Sequence, residues 1–211
     1  HRIHHRAGLR TGYLLMGGCR NFVGAPRFAS ESCAEVLALL GETAMRSGSG
    51  TTVLAVPDFL ADALYPVVRY SAVFPLPSRE GNIVFDAETA KRLSKGATSF
   101  AIGMGMGEGD AYSWGRYLLD ETGCMIALDA DGLKCASRIA DFKGRAVLTP
   151  HIGEFCAMTG IAKEDVIKNA AELSLRYAAE HDCVLVLKSH ESHISDGREV
   201  WRNSTGNSKL S

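Results

Sequence analysis

Four ionisable residues stand where two short apolar runs end: Asp129 and Asp131 in L-D-A-D-G-L, and His151 and Glu154 in L-T-P-H-I-G-E. The runs, Met125 to Leu128 and Ala146 to Leu148, read as strands that stop at polar residues with a helix following, Pro150 being tolerated in a first helical turn. In an open α/β sheet the loops outside the carboxyl ends of parallel strands form the ligand crevice, so both runs would deliver their ionisable groups into it. Such a set suits metal-phosphate or acid-base chemistry. The competing reading is structural: Asp129 and Asp131 cap the next helix, and Glu154 is a first-turn carboxylate offsetting the helix dipole. Two clusters at two successive strand ends shift the balance toward a site.

The elements that must position these groups can be followed along the chain. Tyr13 to Met16 breaks into Gly17-Gly18 and a loop through Pro26, with a helix-period stretch to about Arg46, which reads as strand, glycine loop, helix. A loop of this kind suits phosphate at a helix N-terminus, or is simply a tight turn; it lacks the G-K-[ST] of a P-loop. Thr51 to Val56 is β-branched and apolar, and a helix can start on the Asp58 cap, completing a β-α-β unit. Val67 to Ile83 is irregular, broken by prolines and Gly81. Asp86 to Ser94 is helical in character, and Ser99 to Ile102 opens into the alternating glycines Gly103 to Gly109 before a helix at Asp110 to Glu121. After Glu154 come a helix to about Thr159 and another from about Lys163 to Glu180, with Ala171, Leu175 and Ala178 on one face. Val184 to Leu187 reads as a buried strand ending at Lys188, which either meets a phosphate or snorkels to solvent. His190 and His193 are expected on an exposed loop, and Ile194 to Trp201 as a hairpin turning at Asp196-Gly197.

Composition bounds the answer. With 211 residues, 46% of them hydrophobic, the chain fits one domain or most of one. A formal net charge of -1 gives no pull toward nucleic acid or an anionic membrane, so a small-molecule partner is expected. The six cysteines, Cys19, Cys33, Cys124, Cys135, Cys156 and Cys183, are spread singly, so free buried thiols are expected rather than a zinc or redox motif. No apolar run approaches the ~18 residues of a membrane span, and the expected location is cytoplasmic.

The ordered set G-G-C-R-N-F-V-G-A-P, S-G-S-G, A-V-P, I-G-M-G-M-G, L-D-A-D-G-L, L-T-P-H-I-G-E, V-L-V-L-K and N-S-T-G-N, from about Tyr13 to Asn207, resembles one family. It is similar to the ADP- or ATP-dependent NAD(P)H-hydrate dehydratases, also labelled carbohydrate kinases, of the ribokinase-like fold. The resemblance implies an α/β architecture, a central, mainly parallel β-sheet with helices on both faces in three layers. It also implies a lyase of metabolite repair. The nucleotide phosphorylates the hydroxyl of (6S)-NADHX or NADPHX, and phosphate then leaves as the ring nitrogen donates its lone pair, with Mg²⁺ neutralising charge. By resemblance, Gly24, Ala25, Gly105, Gly107 and His151 line the hydrate substrate. Lys188, Ser189, His190, Glu191 and Ser192 align with the nucleotide loop K-G-x-G-T, and Asn203 of N-S-T-G-N belongs to the same nucleotide-binding set. Glu154 matches the acidic position that organises Mg²⁺ and phosphate, with Asp129 and Asp131 shaping that region. A homo-oligomer, a tetramer among the forms, is implied as well.

Three departures bear on function. The nucleotide loop carries Ser189 and Ser192 in place of glycine and threonine, with bulky His190 and Glu191 between them. The family's G-P-G-L-G is here G-M-G-M-G. After T-G-N the family continues into G-S-G-D, whose aspartate is the catalytic base; the motif does not occur in residues 1–211, and that aspartate is expected beyond Ser211. General base catalysis contributes roughly 10²- to 10⁴-fold, so the expectation is one ribokinase-like domain over 1–211, incomplete at its carboxyl end and without a fused epimerase domain. The alternatives are a small-molecule kinase of the same fold, acting on a sugar or vitamin alcohol, and a nucleotide-binding module without chemistry.

Overall fold

Strands that are apolar on both faces need helices above and below them, because a parallel sheet exposes neither face to water. The computed structural model describes residues 12–19, 42–44, 46, 50–69 and 71–205, and it has this arrangement. The strands of the main sheet are β1 (Gly12–Gly17), β2 (Thr51–Pro57), β3 (Ala72–Leu76), β6 (Ser99–Met104), β7 (Met125–Leu128), β8 (Ala146–Leu148), β9 (Val184–Leu187), β10 (Ser192–Ser195) and β11 (Val200–Asn203). They lie in the order β11-β10-β9-β8-β7-β6-β1-β2-β3. From β9 to β3 every pair is parallel, and β10 and β11 close one edge as antiparallel strands. A separate small ribbon pairs β4 (Ser78–Arg79) with β5 (Asn82–Ile83).

Period-two alternation puts Leu14 and Met16 of β1 in one apolar cluster and Leu15 in the other. Helix α1 (Asp58–Leu64) covers the Leu15 face through Leu60, Ala61 and Leu64. Residues of α3 (Ala111–Glu121), the 3-10 segment (Ala130–Arg138), α4 (Ile152–Thr159) and α6 (Ala170–His181) join the Leu14 face. Trp114, Phe100, Phe142 and Phe155 fill that layer, each fully buried aromatic removing ~150–250 Å² from water. The result is the three-layer α/β/α arrangement. No helix among the described residues is long and apolar enough to cross a membrane. Cys19, Cys124, Cys135, Cys156 and Cys183 are free thiols, and burial pushes Cys135 and Cys183 up to about 12, so both stay protonated. Cys33 lies outside the described residues.

The helix starts follow their caps: Asp86 accepts from Thr89 N (2.7 Å) ahead of α2 (Ala87–Ser94), and Asp110 from Ser113 N (3.1 Å) ahead of α3. Several expectations are corrected. Asp58 is the first residue of α1 and Pro57 holds the cap position, because β2 runs on through Pro57. The stretch expected as one helix from Lys163 to Glu180 is two, α5 (Lys163–Lys168) and α6, parted at Asn169 with φ -119 and ψ 28. That break turns the second helix, so Leu173, Ser174, Tyr177 and Ala178 are buried while Ala171 faces solvent. His193 sits in β10, paired with Leu187 and Arg202, rather than on an exposed loop.

Candidate active site at the carboxyl edge of the sheet

Strand order reverses between β1 and β6. From β1 the chain runs through β2 and β3 to one edge, and from β6 through β7, β8 and β9 toward the other. A crevice forms at such a switch point, beyond the strand tips. The tips are tied together by Gly18 N donating to Met104 O (3.0 Å). Gly105 and Gly107 lie on the loop that leaves β6. Gly24 and Ala25 lie outside the described residues.

Asp129 follows β7 in extended backbone. Its N–H donates to Ile102 O of β6 (3.2 Å), and its Oδ1 caps the 3-10 segment by accepting from Ala130 N (3.0 Å). The same oxygen meets Lys188 Nζ at 2.7 Å, each side chain being about 40% exposed. Lys188 is itself fixed where β9 ends, its N–H donating to Pro150 O (2.7 Å) beside the His151–Lys188 bridge. The capping reading of Asp129 therefore holds, and Lys188 is drawn into an ion pair rather than simply snorkelling to solvent. The segment after Asp129 is a 3-10 helix rather than an α-helix, and a pair of close approaches accompanies it. A Cβ on Gly103 would lie 2.0 Å from Asp129 O, and one on Gly132 would lie 2.3 Å from Ile102 O.

Asp131 does not cap its own segment. Its carboxylate reaches back to the loop after β6, Oδ2 accepting from Gly107 N (2.7 Å) and Oδ1 meeting Lys134 Nζ (3.0 Å). Lys134 is held charged above its ordinary range, first by the hydrogen bond to Asp131 and then by Glu108.

His151 is the N-cap of α4, and Pro150 precedes the helix instead of lying in its first turn. His151 Nδ1 accepts from Glu154 N (3.2 Å) while Glu154 Oε2 accepts from His151 N (2.7 Å), a reciprocal capping box. With Nδ1 accepting, the remaining ring nitrogen, Nε2, lies 3.6 Å from Glu154 Oε1. Glu154 also lines a 570 Å³ cavity between the 3-10 segment and α4, with Asp131, Leu133 and Met158.

The segment after Lys188 closes on itself. Ser189 Oγ donates to Glu191 O (2.6 Å), and Ser192 Oγ donates to Ser189 O (3.1 Å). Glu191 is ion-paired with Arg202, whose hydrogen bond and charge, with lesser help from His190 and His193, hold its carboxyl below the usual range. Asn203 is the register partner of Ser192, and its Oδ1 accepts from Thr205 N (3.0 Å) and Thr205 Oγ1 (2.7 Å). His190 is exposed.

A family model described as NAD(P)H-hydrate dehydratase matches residues 13–211. The chain belongs to the NAD(P)H-hydrate dehydratase family. The ADP-dependent (S)-NAD(P)H-hydrate dehydratase of Bacillus subtilis is 31% identical over 179 residues, 84% of this chain and 61% of that protein. The crystal structure of the ADP/ATP-dependent enzyme from B. subtilis, co-crystallised with ATP and Mg²⁺, matches with a TM-score of 0.69 at 26% identity, over 100% of this chain and 69% of that one. A ribokinase-like superfamily protein from Enterococcus faecalis matches with a TM-score of 0.68 at 20% identity, over 93% of this chain and 63% of that chain, which shows the shared fold. This member of the dehydratase family thus has the ribokinase-like architecture and spans 61% of the length of its B. subtilis relative.

The donor set of this dehydratase-family chain suits a Mg²⁺ carried by phosphates. Asp129 is engaged by Lys188, Asp131 by Gly107 and Lys134, and Glu154 by the backbone of His151. Among the described residues no three His, Cys, Asp or Glu side chains converge as a cage. Mg²⁺ keeps most of its waters and takes one or two carboxylates beside phosphate oxygens, which Asp129 and Glu154 can offer. Two contributors escaped the sequence reading. Lys134 had a signal in its i, i+3 spacing from Asp131. Arg202 had none, because its approach to Glu191 depends on the register of β10 with β11.

Proposed function

We propose that this chain carries the nucleotide-dependent dehydration of (6S)-NADHX or NADPHX. ADP or ATP transfers a phosphoryl group to the ring hydroxyl. The C–O bond then breaks with phosphate leaving, the ring nitrogen donates its lone pair, and loss of a proton from the adjacent ring carbon restores NAD(P)H. The observation that carries the reading is the Lys188–Asp129 pair at 2.7 Å, set on strand tips that flank β8 and its His151–Glu154 cap, in a chain of this family. In this reading Lys188 faces the transferred phosphate and Asp129 aims it. Ser189, His190, Glu191, Ser192 and Asn203 border the nucleotide. Gly24, Ala25, Gly105, Gly107 and His151 border the hydrate. Glu154 would help hold Mg²⁺, and Mg²⁺ on the phosphates would supply neutralisation of the developing charge. A homo-oligomer is part of the proposal. The general base is assigned to no residue from His1 to Ser211.

A second reading, a nucleotide-binding module without turnover, is favoured by one feature: the hydroxyls of Ser189 and Ser192 are spent within their own loop, beside the Glu191 carboxylate. The two part when the protein is mixed with (6S)-NADHX, Mg²⁺ and ADP or ATP. Return of the reduced-nicotinamide absorbance with free phosphate supports the dehydratase, and a retained phosphoester would mark a kinase. Nucleotide binding with no product would leave the module.

A further inference from the structure

We propose that Asp131 and Lys134 form a charge-paired clamp that positions the Gly105–Gly107 loop for the hydrate, and that Asp131 is not a phosphate or metal ligand. The inference rests on the reading that this loop borders the hydrate. Both main-chain polar groups of Gly107 are captured by side chains of the 3-10 segment that follows β7, the strand next to β6. Its N–H donates to Asp131 Oδ2 (2.7 Å) and its carbonyl accepts from Lys134 Nζ (3.1 Å), while Lys134 Nζ sits 3.0 Å from Asp131 Oδ1. The three contacts close a ring. Gly107 stands at φ +60, and a Cβ there would lie 2.7 Å from Cys19 Sγ, so a larger residue would be strained and would have to displace Cys19.

The local helix type favours the clamp. In a 3-10 helix side chains at i and i+3 eclipse, whereas in an α-helix they are staggered around the axis. Because Ala130–Arg138 is 3-10, Asp131 and Lys134 can both face Gly107. The loop itself is loose chemistry: glycines alternate with methionines and no proline limits its conformations. Met106 is fully buried and pins the loop from beneath, and the charge pair pins it from above. Asp131 is the right member to be committed here, since its side chain is only 17% exposed whereas Lys134 is 57% exposed.

The test uses Lys134→Met, Lys134→Arg and Asp131→Asn in the full chain, with three readouts: exchange of the Gly107 amide by NMR, NADH binding by fluorescence, and ADP–Mg²⁺ binding by calorimetry. Lys134→Met is expected to speed Gly107 exchange and weaken NADH about tenfold, some 1.4 kcal/mol, with ADP–Mg²⁺ affinity within about twofold, and Asp131→Asn, whose amide oxygen can still accept from Gly107 N, is expected to keep ADP–Mg²⁺ affinity within about twofold. Lys134→Arg restores both. Unchanged Gly107 exchange in Lys134→Met would overturn the clamp. Loss of ADP–Mg²⁺ affinity in Asp131→Asn would overturn the assignment of Asp131. Faster exchange with unaltered NADH binding would leave the clamp standing but refute its substrate role, and with it the placement of the loop at the hydrate.

Discussion

Lys188 Nζ lies 2.7 Å from Asp129 Oδ1, so the tips of β9 and β7 are joined across β8, the strand between them. Both partners are partly exposed, and an exposed pair contributes only ~0–1 kcal/mol to stability. Lys188→Met is therefore expected to leave the melting temperature almost unchanged. It should weaken ADP and ATP by about tenfold or more, because the cation proposed to face the phosphates is gone. Calorimetric titration of each nucleotide, beside a thermal melt, checks both halves.

Glu154 has a cap role and a proposed charge role, and two substitutions separate them. Glu154→Gln retains a carbonyl oxygen that can accept from His151 N, so its stability should match the parent, while the Mg²⁺ dependence of nucleotide binding should weaken. Glu154→Ala loses the box as well, at a cost of about 1 kcal/mol. Urea unfolding and Mg²⁺ titrations read the two effects. Equal stability of the two variants would sink the cap account.

Gly103 is the tightest point of the site's framework, with φ +122 and its missing Cβ 2.0 Å from a backbone oxygen. That oxygen is not the end of a flexible side chain, so Gly103→Ala should cost at least ~3 kcal/mol, combining strain with displacement of the β7 tip. Gly123→Ala, where no atom lies within 4 Å, is the control and should be neutral within about 0.5 kcal/mol. Chemical denaturation of the two variants gives the comparison directly.

The acid side of stability should depend on Asp120. A hydrogen bond from Lys143, with the charges of Arg116 and Lys143, holds its carboxyl below the ordinary 3.8. A depressed folded pKa stabilises the protein above the unfolded value, and that contribution disappears as pH falls through the folded one. Asp120→Asn should consequently lower the melting temperature slightly at neutral pH, where the contribution is full, and converge with the parent as pH falls well below about 4. Lys134 behaves oppositely. Raised above 10.5 by Asp131 and Glu108, it stabilises below 10.5, and the contribution fades only as pH rises through its folded value.

The strand tips were legible in the sequence because apolar runs ending at Asp129 and Pro150 carry their own boundaries; β7 and β8 begin and end where the runs do. Asp86 and Asp110 announced helices for the same reason, a side-chain oxygen placed to take an orphan N–H. The break at Asn169 was hidden, since no glycine or proline marks it and the apolar period nearly continues. The Asp131 contacts were hidden too. Its partner Gly107 lies 24 residues away, and only the packed sheet brings β6 beside β7. The spacing of charges marked where a site would lie, but which carboxylate faces which loop depended on helix type and on strand register.

The place of β1 between β2 and β6 also sets an order in time. Gly12 O accepts from Thr98 Oγ1 across 86 residues, and Tyr13 pairs with Ser99, so the first strand cannot complete its pairing until a distant one has formed. Closing so long a loop costs entropy before any contact repays it, and parallel pairing of this kind is slow. Until then the apolar flanks of β1 remain open to neighbours, which is when aggregation competes. The crevice acquires its second wall in the same late step, so in refolding the capacity to hold a ligand should return with the slowest phase rather than with the recovery of helix.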